Sequence, residues 1–105
     1  KAGVLVDSKG VRTLLVGNVI HAVAEDGILV KSTAEQTVLS RNRSFGAQDD
    51  GIDVNRASTR LSENTASRNH DLGIEAVPGV SDGGQNRASG NGNPVQCVNV
   101  FCSSG

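Results

Sequence analysis

The sequence predicts an all-β chain, a single-stranded solenoid that folds as a right-handed parallel β-helix of about four coils. Three observations carry this prediction: an Asn that recurs every 22 to 24 residues, a glycine nine residues after it, and a strand-like tetrad that opens on that glycine. A single coil cannot bury its own apolar face, whereas coils stacked about 4.8 Å apart form a continuous core. The constant spacing argues against antiparallel hairpins. A leucine-rich repeat would need an LxxLxL strand and a helical return, and the sequence has neither.

The Asn positions set the register of the repeat, with separations of 24, 22 and 22 residues. They are Asn18, Asn42, Asn64 and Asn86. The glycine tetrads are GVLV at 3–6, GILV at 27–30, GIDV at 51–54 and GIEA at 73–76. The same register aligns Leu15, Leu39 and Leu61 in one column, and Thr13, Thr37, Thr59 and Ser81 in another.

Each tetrad alternates in a way that predicts an inner and an outer side. The second and fourth residues are apolar in every coil, while the third changes from Leu5 and Leu29 to Asp53 and Glu75. Period-two alternation places the apolar columns inside and the variable column outside. Because the chain has only two Phe and no other aromatic residue, Val, Ile, Leu and Ala must fill this core.

The repeated Asn and Gly residues are expected at the corners between strands. An inward Asn amide can donate to the Asn one coil below, which predicts an Asn ladder and satisfies side chains that would otherwise be buried unpaired. Asn also tolerates the left-handed conformation that such corners often need. The glycine that opens each tetrad is expected to allow a positive φ at the corner.

A chain of 105 residues predicts one domain, 1–105, with repeat coils at 1–82 and an irregular last coil and C-terminal cap at 83–105. Val77–Gly79 and Asp82–Gly84 suggest a loop before the last coil. Val95 takes the position expected for the next glycine, so the segment from 95 to 102 is predicted to be a terminal strand and turn. No comparable cap precedes Gly3. We therefore expect that another subunit covers the first coil or that a longer protein continues it.

The two cysteines, Cys97 and Cys102, lie close to the C-terminus with four residues between them. Two thiols cannot complete a structural zinc site, and the spacing is not that of a redox CxxC motif. We therefore predict a local disulfide between Cys97 and Cys102, which needs a turn between the two residues and implies an oxidising location, either secreted, periplasmic or at the cell surface. The alternative is a pair of reduced thiols on the tail.

The net charge of the chain and the length of its apolar stretches limit the classes of partner that we expect. Ten basic and eleven acidic residues give a net charge of −1, without a long basic run or interleaved aromatics, so nucleic acid is not expected as a partner. The longest apolar stretches have four or five residues, too short to span a membrane. The partners that remain are a polysaccharide and a second copy bound through the uncapped N-terminal coil.

Acidic residues also stack in the repeat. Glu25, Asp49 and Asp71 share one position, and Asp26 and Asp50 share the next. Like charges at strand spacing repel each other unless they are neutralised, and Ca²⁺ prefers carboxylate oxygens. The predicted calcium- or sugar-binding face comprises Asp49, Asp50, Asp53, Asp71 and Glu75. The alternative has no cofactor: a solvated turn whose repulsion is offset by Arg41, Arg43, Arg56 and Arg60.

The stretch from 42 to 94, with NRSFGAQDDGIDV, NTASRNHDLGIEAVPG and DGGQNRASGNGNP, resembles right-handed parallel β-helix repeat proteins of bacteria. These form the pectate-lyase-like superfamily, and the sequence resembles in particular its NosD-like and uncharacterised actinobacterial members. The resemblance implies the fold. In the lyases of that family, calcium bridges an acidic sugar to the helix while Arg or Lys removes a proton, and the resemblance implies that similar chemistry is one alternative for this chain. Arg56, Arg68 and His70 are the residues here that could lie near the carboxylates.

Two functional classes follow. Enzymes of this superfamily have more coils and longer loops than this chain, so we expect a structural or carbohydrate-binding module without catalytic activity and without a catalytic residue. The alternative is a small or partial calcium-dependent polysaccharide lyase or epimerase that uses the acidic face.

Overall fold

The computed structural model describes residues 2–7 and 12–104. Residues 1, 8–11 and 105, which belong to the predicted ranges 1–82 and 83–105, lie outside the described residues. The described part of the chain consists of strands, turns and bends. It contains no helix that could cross a membrane. The predicted all-β class is therefore confirmed.

Fourteen short strands follow one another in the residues that the structure describes. They are β1 (Val4–Val6), β2 (Thr13–Val16), β3 (Val19–His21), β4 (Ile28–Val30), β5 (Thr37–Ser40), β6 (Arg43–Phe45), β7 (Ile52–Val54), β8 (Arg60–Ser62), β9 (Thr65–Ser67), β10 (Ile74–Ala76), β11 (Ser81–Gly84), β12 (Asn86–Ser89), β13 (Cys97–Val98) and β14 (Cys102–Ser103). Sheet A has the order β1-β4-β7-β10-β13, sheet B β11-β8-β5-β2 and sheet C β14-β12-β9-β6-β3. The chain therefore forms a solenoid of about four coils, each of which contributes one strand to each face.

The strands pair in parallel, each with its counterpart one coil further along. In sheet A the paired columns are Val4, Ile28, Ile52 and Ile74, and Val6, Val30, Val54 and Ala76. Ile28, Ile52 and Ile74 are fully buried, whereas Leu5 on the outer face is 53% exposed. Burial of one such side chain contributes about 1.5–3 kcal/mol, so the stacked columns supply the main stabilisation. The predicted alternation of inner and outer residues is confirmed.

Left-handed residues form two of the corners, but they are not the repeated Asn residues. The residue before each Asn has a positive φ, and so does the residue four positions after it. The first column is Gly17, Arg41, Glu63 and Gln85, and the second is Ala22, Gly46, Arg68 and Gly90. The expectation that Asn itself takes the left-handed conformation was wrong. The backbone turns one residue earlier, and the Asn side chain then points inward.

The glycines that open the tetrads have a different role from the one expected. Gly27, Gly51 and Gly73 are absent from the residues with positive φ. A Cβ atom at Gly51 would lie 2.5 Å from Asn69 Nδ2 and 2.8 Å from the Gly73 carbonyl oxygen. Close packing against the next coil, and not a positive φ, therefore requires glycine there.

The Asn column forms a hydrogen-bonded ladder between sheets B and C. Nδ2 of Asn18, Asn42 and Asn64 donates to Oδ1 of the next Asn at 3.0–3.1 Å. The second amide hydrogen of Asn42 and of Asn64 goes to the carbonyl of a Leu in the preceding coil. Each Oδ1 also accepts the backbone N–H of the preceding Asn. The amide groups of Asn42 and Asn64 are therefore fully satisfied although they are buried.

A second ladder runs along the corner between sheets C and A. Asn69 Nδ2 donates to Asn91 Oδ1 at 2.9 Å, and Asn91 Nδ2 donates to Gln96 Oε1 at 2.8 Å. Gln96 thus ends this ladder. The first ladder ends in the same way, because Asn86 Nδ2 donates to Asp82 Oδ1 at 3.2 Å. Both ladders therefore terminate on a side chain of the C-terminal region.

The last coils depart from the predicted register. Residues 82–84 do not form a loop, since they belong to strand β11. Ser81 pairs with Arg60 and not with Thr59, so it lies outside the Thr column. Cys97 pairs with Ile74, and Gly73 donates to the carbonyl of Gln96, so Gln96 and not Val95 takes the glycine position. An irregularity near Gly83 and one extra residue before Gln96 account for both shifts.

The C-terminal segment closes the lower end of the solenoid. Strand β13 joins sheet A and β14 joins sheet C, so the last half-coil passes from one to the other without a strand in sheet B. A disulfide with an S–S distance of 2.09 Å links Cys97 to Cys102 across this turn. Both cysteines pack against the core. The predicted disulfide is confirmed, and it is consistent with an oxidising environment.

Candidate functional site

Acidic side chains gather at the corner that leads into sheet A. This surface, the acidic corner, comprises Asp26, Asp49, Asp50, Asp53, Asp71 and Glu75. The solenoid register stacks Asp26 on Asp50, and sheet A pairs Asp53 with Glu75. Three successive coils thus bring six carboxyl groups to one surface.

Asp26 and Asp50 form a third ladder, in which carboxyl groups accept backbone hydrogen bonds. The Asp50 N–H donates to Asp26 Oδ1, and the Leu72 N–H donates to Asp50 Oδ1, both at 3.0 Å. Asp26 is 7% exposed and Asp50 only 1%. One oxygen of each carboxyl group is therefore fixed to the backbone, and the other is left for a proton, a neighbouring carboxyl group or a cation.

Each of these buried carboxyl groups also meets a carboxyl group from sheet A of the next coil. Asp26 hydrogen-bonds to Asp53, and Asp50 to Glu75. Such a bond needs a proton on one of the two groups, because two carboxylates are both acceptors. The same diagonal pair therefore occurs twice in succession.

The carboxyl oxygens converge closely enough to share one ion. One oxygen each from Asp26, Asp50 and Asp53 lie within 4.8 Å of one another, and so do oxygens of Asp49, Asp50 and Asp71. Asp50 belongs to both groups. Glu75 belongs to neither group, although it bonds to Asp50 and pairs with Asp53 in sheet A, and its own side chain is exposed.

Burial changes the acidity of three of these groups. Burial, followed by the hydrogen bond to Glu75, raises the pKa of Asp50 to about 8. Burial and then the charge of Asp26 raise the pKa of Asp53 to about 7. Burial likewise raises the pKa of Asp26. Near neutral pH the acidic corner therefore retains protons that a bound cation would displace.

No ion pair found in the described residues joins an arginine to the acidic corner. Arg56 lies 3.8 Å from Glu35 and donates to the Ser32 carbonyl at 2.9 Å. The other ion pair found in the described residues joins Lys31 to Asp7. The interpretation in which nearby arginines offset the repulsion therefore has no ion pair to support it. Of the residues considered as bases, Arg56 has these partners elsewhere and Arg68 lies against Phe45 on sheet C.

Asp26 is the member of the cluster that was missing from the predicted face. Its alignment with Asp50 in the repeat was visible, and that alignment was the available signal. Nothing in the repeat favoured Asp26 over Asp71 or Glu75 as a ligand. The diagonal contact between Asp26 and Asp53 depends on how consecutive coils are offset, which a column-by-column alignment does not show.

Comparison of this chain with protein-family models, with curated proteins and with solved structures finds no match in any of the three. The resemblance to pectate-lyase-like proteins thus extends, on this structure, to the parallel β-solenoid fold alone. The function must be argued from the site.

Proposed function

We propose that this chain is a non-catalytic β-solenoid module that binds Ca²⁺ at the acidic corner and, through the ion, an acidic polysaccharide. The observation that carries the proposal is the convergence of Asp26, Asp50 and Asp53 within 4.8 Å. In the described part of the chain, no ion pair joins an arginine or a lysine to any of these three carboxyl groups. A cation would supply the missing positive charge.

The donor set suits calcium in its chemistry. All donors are carboxyl oxygens, which hard cations prefer, and Ca²⁺ accepts six to eight oxygen ligands in flexible geometry. Zinc and copper favour imidazole and thiolate ligands. The two cysteines are already joined in a disulfide, so the acidic corner has the composition of a calcium site.

The incomplete coordination shell is the reason to include a polysaccharide. Three carboxyl groups fill only part of a calcium shell, and water or a ligand must supply the rest. The carboxylate of a uronic acid residue is a suitable ligand. Asp53 lies on the outer face of sheet A, so an ion held there would be open to a sugar chain on that face.

A binding role is favoured over catalysis by the surroundings of the cluster. Proton abstraction from a uronate needs a base within hydrogen-bond reach of the sugar. Arg56 is engaged by Glu35 and Ser32, and Arg68 contacts the Phe45 ring. A calcium-dependent lyase or epimerase is the competing function.

Calcium binding is tested by thermal unfolding with and without Ca²⁺ at about pH 8, where the carboxyl groups begin to lose their protons. We expect Ca²⁺ to stabilise the protein by about 2.7 kcal/mol at a concentration 100 times its Kd. Asp53→Asn should abolish this effect. Glu63→Gln, at an exposed corner between sheets B and C, should leave it unchanged. Equal stabilisation of both variants would exclude the acidic corner as the site.

Catalysis is tested on polygalacturonate and alginate by the absorbance of unsaturated products, with and without Ca²⁺. We expect calcium-dependent retention of the protein on the polymer without product release. Product formation that Asp50→Ala or Asp53→Ala abolishes would establish the lyase alternative instead.

The proposed location is secreted, periplasmic or at the cell surface. The disulfide favours an oxidising compartment. Calcium sites of extracellular modules are often weak, with Kd values of about 10⁻⁴–10⁻³ M. A site with three carboxyl groups and an incomplete shell would be expected in this range.

Self-association through the first coil is a separate part of the proposal. Leu5, Leu14 and Val19 are 53, 66 and 62% exposed, and β1, β2 and β3 are edge strands of their sheets. Exposed edges and apolar side chains favour pairing with another chain. Light scattering should therefore show a dimer or a larger assembly, and a monomer at all concentrations would contradict this part.

A further inference from the structure

The last half-coil buries little apolar surface of its own. It comprises residues 95–104, and we call it the terminal segment. Its strands β13 and β14 have two residues each and pair with β10 and β12. Val100 lies in the core, whereas Val95 and Phe101 are 63 and 78% exposed. Because burial of apolar side chains is the main source of stability, the terminal segment is weakly held by its own packing.

The disulfide holds both strands of the terminal segment in place at once. Cys97 pairs with Ile74 and continues the inner column of sheet A, while Cys102 pairs with Asn86 and continues sheet C. The bond therefore links two sheets across the end of the core. Without it, two strands of two residues would be joined only by the four-residue turn between them, and each would have to stay on its sheet alone.

The terminal segment covers hydrogen-bonding groups of the coil before it. The Gly73 N–H donates to the Gln96 carbonyl at 2.7 Å. Asn91 Nδ2 donates to Gln96 Oε1, and Asn99 Nδ2 donates to the Ala76 carbonyl, both at 2.8 Å. Detachment of the segment would break these bonds. It would also uncover the edges of β10 and β12, which are parallel strands with unused backbone groups.

The segment can detach without unfolding the coils behind it. Each coil of a solenoid contacts only its neighbours, so the loss of a terminal unit does not propagate. Asp82 belongs to β11 and remains in place, so it still accepts from Asn86 Nδ2 when its bond to the Phe101 N–H is lost. Cys97 and Cys102 are both half-buried, which leaves the disulfide partly open to a reductant. This opening requires neither a bound cation nor contacts of the first coil.

We propose that the disulfide is a redox-controlled lock: a dithiol reductant releases the terminal segment, and the open edges of β10 and β12 then pair with a second copy of the chain. In the redox step the S–S bond breaks, and two electrons and two protons pass from the dithiol to Cys97 and Cys102. The dithiol becomes a disulfide. A second copy is the partner because its coils repeat the same inner columns in the same parallel register, so it can continue the stack.

Amide hydrogen exchange, measured by NMR on a dilute sample with and without dithiothreitol, tests the release. Gly73 is the probe, because its N–H donates to Gln96 in the terminal segment. Gly51 is the matched control, because its N–H makes the same bond to Leu72 one coil earlier, at 3.0 Å. We expect reduction to accelerate exchange at Gly73 by about tenfold or more and to leave Gly51 within about twofold, since only the terminal unit opens.

Light scattering tests the pairing with a second copy. At high protein concentration the reduced protein should have at least twice the mass of the oxidised protein, and exchange at Gly73 should slow again because the edge is covered. Comparison with the oxidised protein separates this contact from self-association through the first coil.

The double variant Cys97→Ala/Cys102→Ala controls for other effects of the reductant. It should behave like the reduced protein, and dithiothreitol should not change it further. If the variant does not fold, the reduced protein itself supplies the comparison. Unchanged exchange at Gly73, or equal acceleration at Gly51 and Gly73, would overturn the lock. Accelerated exchange at Gly73 with the same mass as the oxidised protein would exclude a second copy as the partner.

Discussion

At the scale of single residues, two threonines show where the core is imperfect. Thr37 and Thr59 are fully buried, and their hydroxyl groups lack a hydrogen-bond partner in the described part of the structure. The two residues are neighbours in the inner column of sheet B. Ser81 pairs with Arg60, so Val80 lies opposite Thr59 in the next coil and packs against the core. The same column therefore already accepts valine.

Thr59→Val should stabilise the protein by about 1 kcal/mol, because a buried hydroxyl without a partner costs about 1–3 kcal/mol and valine has the same shape. The measurement is the urea midpoint at constant slope. Thr65→Val, on the outer side of sheet C, is the matched control and should change stability by less than about 0.5 kcal/mol. A destabilised Thr59→Val variant would show that the hydroxyl has a partner, such as an internal water.

Gly51 tests whether close packing or backbone conformation fixes the repeated glycines. In Gly51→Ala the new methyl group would meet Asn69 Nδ2 and the Gly73 carbonyl, so we expect a loss of about 3 kcal/mol. Gly17→Ala is the control, since Gly17 has a φ of 70° and open space around it, and left-handed strain alone costs about 1–2 kcal/mol. Equal losses in urea unfolding would contradict the packing explanation.

At the scale of elements, each hydrogen-bonded ladder needs a residue that accepts from its last Asn as well as the repeated Asn residues themselves. Gln96 Oε1 accepts from the Asn91 side chain at 2.8 Å and from its backbone N–H at 3.3 Å. Gln96→Ala would leave a buried amide unpaired, and we expect it to lower the free energy of unfolding by about 1–3 kcal/mol. Gln96→Glu keeps an acceptor and should lose less. Gln48→Ala, at an exposed position, should be nearly neutral in the same unfolding measurement. A neutral Gln96→Ala would show that water replaces the cap.

The strands could be predicted from the sequence far better than the residues that end the hydrogen-bonded ladders. The tetrads at 27–30, 51–54 and 73–76 predicted β4, β7 and β10, because like residues in register produce a signal in every coil. A residue that terminates a ladder has no such signal, since it occurs once and differs from the repeated residue. For that reason Gln96 and Asp82 were not predicted as caps, and the predicted register was wrong at Ser81 and at Val95, whereas Asn86 and Ala88 pair as expected.

The candidate site was predictable in part for a related reason. Stacked acids indicated the surface, yet the contacts within it run diagonally between coils, as from Asp26 to Asp53. The contacts around Phe45 on sheet C were still harder to predict from the sequence. His21 and Phe45 share a column but not a residue type, and Arg68 reaches Phe45 from a corner in the next coil.

At the scale of the whole molecule, the acidic corner should make stability depend on pH in an unusual direction. The pKa of Asp50 is raised from 3.8 to about 8, and that of Asp53 to about 7. Between the unfolded and the folded pKa values, the folded protein binds more protons than the unfolded chain. The stabilisation is therefore fully present below about pH 4 and is lost as the pH rises through 7 to 8. Asp26, Asp49 and Glu75 supply the neighbouring negative charge.

In EDTA, the melting temperature should consequently be higher at about pH 5 than at about pH 9. A loss of 1 kcal/mol corresponds to roughly 4–8 °C for a domain of this size. Calcium should restore the stability at the higher pH, because the ion replaces the protons that the carboxyl groups release. Asp53→Asn should weaken the pH dependence in EDTA, because only Asp50 then keeps its strongly raised pKa, and it should remove the response to calcium. Glu63→Gln should change neither. A higher melting temperature at about pH 9 in EDTA would mean that the carboxyl groups are ionised without cost. The structural reason for a cation at this corner would then be lost.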